Sequence, residues 1–516
     1  MKLNRTKNAV RNSFYGGINF VYTTIAPFIM RTLMLYYLGV EYTGLNGLFA
    51  SILQVLNLTE LGVGSAMNYS MYRAIADDDE ARICALMKLY RKYYRIIGSV
   101  IAIIGLIILP FVPKLIKGSV PEDLNVFILY LLNLSTTVLS YFLFAYRNCL
   151  VASFQRNDIN SKVTMSVNTV TYILQAIVLV CFRNYYIYLI LSLLSQLFIN
   201  VCTAYITTKM FPKYHPVGEL SKENISAINR RVKDVFTAKF STVVMNSSDP
   251  IIISSFLGLT ALAMYQNYYY IVHALAALVS VLLTSVMAGF GNSLLTETAE
   301  KNIKDLKKFT MLIMWLSSVF VVGILSCIQP VMDIWVGPDL KFSFGIVICF
   351  CIYFYTSVTL RLFNMYKDAA GIWTYDKYRP MVAAGTNLTL NLLSVKFLGI
   401  YGIILSTVVA QLFVSIPWIL RNLFTYVFDS KALGSYAKRI LFYFADTTII
   451  CLISWLVCNS IVLSPWLTFL TRGVMCVIIS NVLLFITYRM LPEYADCKEL
   501  FLKLISKGRM KLKKKA

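Results

Sequence analysis

Histidine is almost missing from this 516-residue chain, which carries only His215 and His273. That excludes a metal centre or proton relay built from several histidines. Charge is scarce as well, at 14% of residues, too little for a soluble protein of several domains. Acidic residues are the rarer sign, 25 against 48 Lys and Arg. The 11 cysteines have no paired spacing and fall mostly in apolar stretches, so they read as small buried hydrophobes, with no disulfide framework and no zinc site. No GxxxxGK[ST] motif occurs, which argues against direct ATP hydrolysis. Alternating strand-length segments are absent too, leaving helices as the membrane-spanning element.

What is abundant is apolar sequence, 58% of the chain. Leu124 to Tyr146, Val163 to Phe182, Asn184 to Thr208, Phe397 to Leu420 and Thr447 to Thr471 are each free of charge. A helix rising ~1.5 Å per residue needs about that length to cross ~30 Å of hydrocarbon. The fold class expected is an all-α polytopic membrane protein of about fourteen transmembrane helices. The N-terminal MKLNRTKNAVRNSF is basic before an apolar run, but no small-residue cleavage site follows and Arg31 interrupts the run, so it reads as the first helix and not as a signal peptide. With that end in the cytoplasm, only Lys114, Lys117, Arg183, Lys341 and Lys396 fall in outer loops, and both termini come out cytoplasmic. The net charge of +23 is then concentrated on one membrane face, where anionic lipid attracts each cation by ~1 kcal/mol. The tail KGRMKLKKKA is expected to meet anionic membrane lipids, and no nucleic acid is implied.

A shift of about 220 residues aligns the chain with itself. Leu38-Gly39 matches Leu257-Gly258, Gly62 and Gly64 match Gly289 and Gly291, and Pro110 matches Pro330. Ala152 and Asp158 match Ala370 and Asp376, and Asn168 matches Asn387. Two blocks of six spans, both starting in the cytoplasm, form a parallel repeat. The expected domains are an N-lobe (1–208), a basic cytoplasmic linker (209–239), a C-lobe (240–427), two extra helices (428–490) and a basic tail (491–516).

The stretch RTLMLYYLGVEYTGLNGLFASILQVLNLTELGVGSAMNYSMYRAIADDD, from Arg31 to Asp79, resembles the opening of bacterial polysaccharide and O-antigen flippases. These are the Wzx-type branch of the multidrug/oligosaccharidyl-lipid/polysaccharide (MOP) exporter superfamily. LYRKYYRIIG, ILPFVPKLIKG and AYRNCLVASFQRND extend the resemblance, which covers essentially the whole chain. It implies two six-helix lobes forming a V-shaped central cavity faced by spans 1, 2, 7 and 8. It also implies carriage of undecaprenyl-diphosphate-linked oligosaccharide to the outer leaflet of the bacterial plasma membrane, for cell-surface polysaccharide biosynthesis. A polysaccharide polymerase and chain-length machinery are the partner proteins to expect.

Arg31 and Glu60 are charges at membrane depth, where ionisable groups usually mark a pathway. Arg31 lies eight residues before Gly39 and Asp249 nine before Gly258, so the repeat sets them at nearly equal depth. A diphosphate cannot cross hydrocarbon unpaired, and an arginine fork matches its oxygens, making Arg31 the first candidate for diphosphate recognition. The alternatives are an Arg31 that snorkels to the interface and one that is neutralised by Asp249 or Glu60. In NSSDP, Pro250 removes a backbone donor at cavity depth. Asn246 and Asp249 there suit a cation or sugar hydroxyls, with a simple kink as the rival reading. Glu60 suits a proton carrier, a counter-ion for Arg31, or a hydrogen bond that fixes packing. The repeat sets His273 opposite Gln54, and Gln266 and Asn267 put amides beside the tyrosines of MYQNYYYIVH, a combination suited to sugar rings or to an interfacial belt. Gly62, Gly64, Gly289 and Gly291 are expected to permit close contact or bending near the inner gate.

No resident cofactor is expected. Coupling to sodium ion, proton or membrane potential stays open. Short outer loops disfavour a membrane-embedded polysaccharide polymerase, and Arg31 favours an anionic cargo over that of a cation-coupled multidrug or small-solute exporter of the same superfamily.

Overall fold

The computed structural model describes residues 5–499 apart from 61, 119 and 462. The far end of the basic tail therefore lies outside the described residues. Within them the chain is 88% helical, with no strand. Its helices are α1 (Arg5–Tyr37), α2 (Val40–Leu56), α3 (Val63–Ala76), α4 (Glu80–Ile108), α5 (Val126–Phe142) and α6 (Asn148–Ser153). There follow α7 (Asn157–Ile177), α8 (Tyr185–Met210), α9 (Lys222–Leu257), α10 (Leu259–Thr296), α11 (Ala299–Trp335) and α12 (Phe344–Ala370). Then come α13 (Arg379–Leu398), α14 (Ile400–Val409), α15 (Ile416–Tyr426), α16 (Leu433–Asn459) and α17 (Pro465–Tyr488).

Among the described residues eleven helical segments are long and apolar enough to cross a membrane, so this is a multi-pass membrane protein. Three expected spans fall outside that measure. The second is broken between α2 and α3, α5 is apolar but shorter, and α9 begins in the polar sequence KENISAINRRVKDVF. Polar caps start several helices where the sequence leaves the apolar runs. Asn125 accepts from the Phe127 and Ile128 amides at α5, Asn184 from Ile187 at α8 and Ser221 from Asn224 at α9.

Two compact units divide the chain, Met1–Ala263 and Met264–Ala516. Internal symmetry is visible within them. Gly39 and Gly258, matched by the repeat, have nearly the same backbone conformation, φ 116 ψ 177 and φ 96 ψ 175. Only glycine adopts this at little cost, so each ends one helix and re-aims the chain into the next. Asn168 accepts a hydrogen bond from Ser195 Oγ at 3.1 Å, joining α7 to α8. Its counterpart Asn387 donates to Thr407 Oγ1 at 2.9 Å, joining α13 to α14.

The matched aspartates are alike as well. Asp158 is fully buried and paired with Arg156 Nε at 3.0 Å, Arg11 Nε at 3.1 Å and Lys162 Nζ at 3.5 Å. Its amide donates to Asn12 Oδ1 at 3.1 Å, and Asn12 Nδ2 donates to the Gln155 carbonyl at 2.9 Å, so α1 is tied to the start of α7. In the other unit, buried Asp376 receives two bonds of 2.7 Å from Arg379 and lies 3.5 Å from Lys367 Nζ. Removing one partner of a buried ion cluster leaves the others uncompensated. Asp158→Ala is therefore expected to destabilise the protein by about 3–5 kcal/mol. Lys162→Ala, which removes a half-exposed partner, should cost under about 1 kcal/mol. Thermal unfolding of the detergent-solubilised variants checks the contrast, and equal melting of the two would contradict it.

Candidate functional site

The structure distributes the residues singled out in the sequence between the two units. Arg31, Gln54, Glu60, Gly62, Gly64, Asn246, Asp249 and Pro250 belong to the first, and Gln266, Asn267, His273, Gly289 and Gly291 to the second.

Arg31 is half-buried on α1, and its Nη2 donates to the Ala263 carbonyl at 3.1 Å. Its guanidinium is thus held by backbone at the start of α10. Asp249 is buried on α9, next to buried Ser247 and Ser248. Asn246, one turn earlier, is exposed, and the helix continues through Pro250. Gln54 is exposed on α2.

The second expected span breaks at a 3₁₀ turn, Asn57–Glu60, followed by Gly62 at φ +95. Glu60 stands on this turn inside a tyrosine cage. Its Oε1 accepts from Tyr94 at 3.0 Å and its Oε2 from Tyr141 at 2.6 Å. Tyr141 also lies 3.2 Å from Asn57 Oδ1, and the Tyr90 and Tyr94 hydroxyls are 2.7 Å apart. Both carboxylate oxygens therefore fasten the break to α4 and α5.

Helix α9 runs close beside this broken span. A Cβ at Gly62 would stand 2.6 Å from the Val232 carbonyl oxygen of α9, and one at Gly44 would press on the Leu259 carbonyl where α10 begins. Near the far end of α9, Ser254 Oγ donates to the Leu115 carbonyl at 2.7 Å and the Lys117 amide donates to the Ser254 carbonyl at 3.0 Å. Where α9 begins, Tyr93 donates to Asn229 at 2.5 Å and Arg231 lies 4.4 Å from the Tyr69 ring. Two basic cavities adjoin here. One, of about 620 Å³, is lined by Lys88, Arg91, Lys92 and Arg95, and the other, of about 550 Å³, by Arg73, Arg82 and Arg231. Such concave cation clusters suit phosphate-bearing headgroups at a membrane face.

In the second unit His273 is exposed on α10, stacked on Tyr269 at 5.5 Å, and Tyr269 lies 6.1 Å from Tyr353 of α12. Asn267 is fully buried and Gln266 half-buried. Tyr268 is buried too, donating to Gln329 Oε1 at 3.0 Å and accepting from the Phe342 amide at 3.1 Å, so it ties α10 to α11 and to the loop before α12. The four glycines differ in surroundings. Gly291 stands near the Ala369 carbonyl, Gly64 near the Tyr90 hydroxyl, and Gly289 faces open space.

Arg361 is not among the residues singled out in the sequence. It lies inside α12, its Nη1 donating to Ser280 Oγ of α10 at 2.9 Å. The signal was available: the apolar run resumes with Leu362 and Phe363, both fully buried.

A family model described as "Polysaccharide biosynthesis protein" matches residues 9–288. A comparison with curated proteins finds no significant match. Among solved structures, one described as "Lipid II flippase MurJ, inward closed conformation" is similar at a TM-score of 0.69 and 14% identity, over 92% of this chain and 99% of that one. An inward-facing multidrug resistance MATE family transporter of the MOP superfamily gives 0.59 at 14% identity, covering 84% and 99%. The Vibrio cholerae MATE transporter VcmN, in mutant form, gives 0.55 at 14% identity, covering 81% and 97%. These likenesses establish a shared fold.

Proposed function

The chain belongs to the polysaccharide biosynthesis protein family, and on that premise we propose that it is a flippase for undecaprenyl-diphosphate-linked oligosaccharide. It acts in the bacterial plasma membrane, with both termini cytoplasmic, and delivers cargo from the inner to the outer leaflet for cell-surface polysaccharide synthesis. A polysaccharide polymerase and chain-length machinery receive the product.

The observation that carries this reading is Arg31, a guanidinium set in a membrane helix and held by the Ala263 carbonyl. A fixed cation at membrane depth is what a diphosphate needs in order to leave water, and arginine offers a planar fork for its oxygens. Arg31 binds the diphosphate, while amides such as Gln54, exposed on α2, meet sugar hydroxyls. The polyprenyl tail stays in lipid, and alternating access exposes the headgroup outward. Asp249 and Asn246 on α9 form the candidate site for a coupling sodium ion or proton. The chain is then a transporter and not an enzyme.

One observation favours a second reading, a cation-coupled multidrug exporter: the buried carboxylate of Asp249 beside Pro250, in a fold shared with the MATE transporters. The two are separated by mass spectrometry of polyprenyl-linked lipids in cells depleted of the protein. A flippase leaves one complete diphosphate-linked oligosaccharide accumulating in the inner leaflet, shielded from an impermeant sugar-binding probe. An exporter leaves the pool unchanged.

A further inference from the structure

Among the described residues Arg361 of α12 has no ion-pair partner. It follows an uncharged run, Phe344 to Leu360, in a helix that continues to Ala370. Contacts along α10 and α12 fix its depth. On one side Tyr265 meets Phe350 at 5.8 Å and Tyr269 meets Tyr353 at 6.1 Å, and on the other Phe290 meets Tyr366 at 4.8 Å. The Arg361–Ser280 bond lies between these layers, inside the helix pair and not beyond its end. Among the described residues no carboxylate lies within 4.0 Å of Arg361, and Ser280 is its hydrogen-bond partner. A guanidinium has five N–H donors, and a half-buried one in a membrane span is costly without an anion. The surroundings are those of a carbohydrate site. His273 lies two turns from Ser280 on the same face of α10, and Tyr269 and Tyr353 present rings beside it.

We propose that Arg361, oriented by Ser280, with His273, Tyr269 and Tyr353 further along the same two helices, is a second cargo-binding site, one that takes an anionic oxygen borne by a carbohydrate. This rests on the flippase reading and deepens it. The oxygen belongs either to the diphosphate or to a sugar carboxylate, since both offer the acceptor pair that an arginine fork matches. The Ser280 hydroxyl holds the guanidinium against α10, the helix that carries His273 and Tyr269.

The test is equilibrium binding to the purified full-length protein, with three probes: undecaprenyl diphosphate, a soluble uronic-acid oligosaccharide and a neutral oligosaccharide of equal length. Arg361→Ala is expected to weaken one anionic probe by about tenfold or more and to leave the neutral one unchanged, while Ser280→Ala weakens the same probe by a few-fold. The affected probe identifies the source of the charge. Arg361→Lys keeps the charge and loses the fork, so it should fall between wild type and alanine, which guards against an alanine variant that does not fold. Equal binding of every probe by wild type and both Arg361 variants overturns the site. If Arg31→Ala loses undecaprenyl diphosphate in that same experiment, the flippase reading survives without it. If wild type binds no anionic probe, both fall.

Discussion

Arg31→Ala is expected to reduce cargo transport by at least about tenfold in a protein that still folds, inserts and melts as wild type. In water a guanidinium and a phosphate exchange solvent for each other with modest gain, but at membrane depth the same contact replaces an anion's whole hydration shell. Truncating one partner of such a desolvated, hydrogen-bonded pair costs about 2–5 kcal/mol, and each ~1.4 kcal/mol is a factor of ten. Folding, by contrast, loses contacts such as the bond to the Ala263 carbonyl, each an exchange worth about 1 kcal/mol. Arg31→Lys should recover part of the activity, because it restores the charge without the bidentate geometry. Transport is read from leaflet sidedness of the lipid-linked oligosaccharide, and folding from thermal unfolding in detergent. Full transport by Arg31→Ala would remove this residue from the mechanism.

Gly62→Ala should be among the most damaging single-methyl changes in the chain. Gly62 sits at φ +95, a conformation that costs an L-residue about 1–2 kcal/mol. Its new Cβ would also stand 2.6 Å from the Val232 carbonyl oxygen and 3.1 Å from the Phe236 amide nitrogen. Both are backbone atoms of α9 and cannot swing aside, so the break in the second span must move away from that helix. Adding about 1–3 kcal/mol for overpacking gives a total of about 2–5 kcal/mol. In a chain of 516 residues that amounts to a fall of about 2–5 °C in the unfolding midpoint. Gly289→Ala is the control. Its Cβ would meet nothing within 4 Å, and alanine suits a helix interior better than glycine by about 1 kcal/mol, so its midpoint should hold or rise. Equal melting of the two variants would contradict the close contact at Gly62.

The contrast between these glycines shows where sequence reasoning stops. The repeat placed Gly62, Gly64, Gly289 and Gly291 together as hinge candidates, and spacing cannot tell a glycine wedged against backbone from one facing open space. Local chemistry was far more legible. Gly39 and Gly258 share a conformation because each must turn the chain between two helices, and Asp158 and Asp376 each gather cations at matched positions. Apolar runs located the spans, but a hydropathy reading is blind to polar helix. Residues 222–239, read within the linker, form the first turns of α9, announced by the Ser221 cap and Glu223 in the first turn. The second span read as one helix because T-E-L-G-V-G is mostly apolar, yet Gly62 demands a left-handed residue and the helix breaks there. Partners distant in sequence were out of reach. Glu60 was visible as an intramembrane acid, whereas Tyr94 and Tyr141, which hold its two oxygens, come from helices that only the fold brings alongside.

Flipping itself is measured by placing the purified protein in sealed vesicles containing undecaprenyl-diphosphate oligosaccharide, and by following the fraction of the sugar open to an impermeant glycosidase. With wild type, the protected half should become accessible over time, and with Arg31→Ala it should stay protected. Accessibility that is the same in vesicles with folded wild-type protein as in protein-free vesicles would contradict the assignment of this chain as a flippase of diphosphate-linked oligosaccharide.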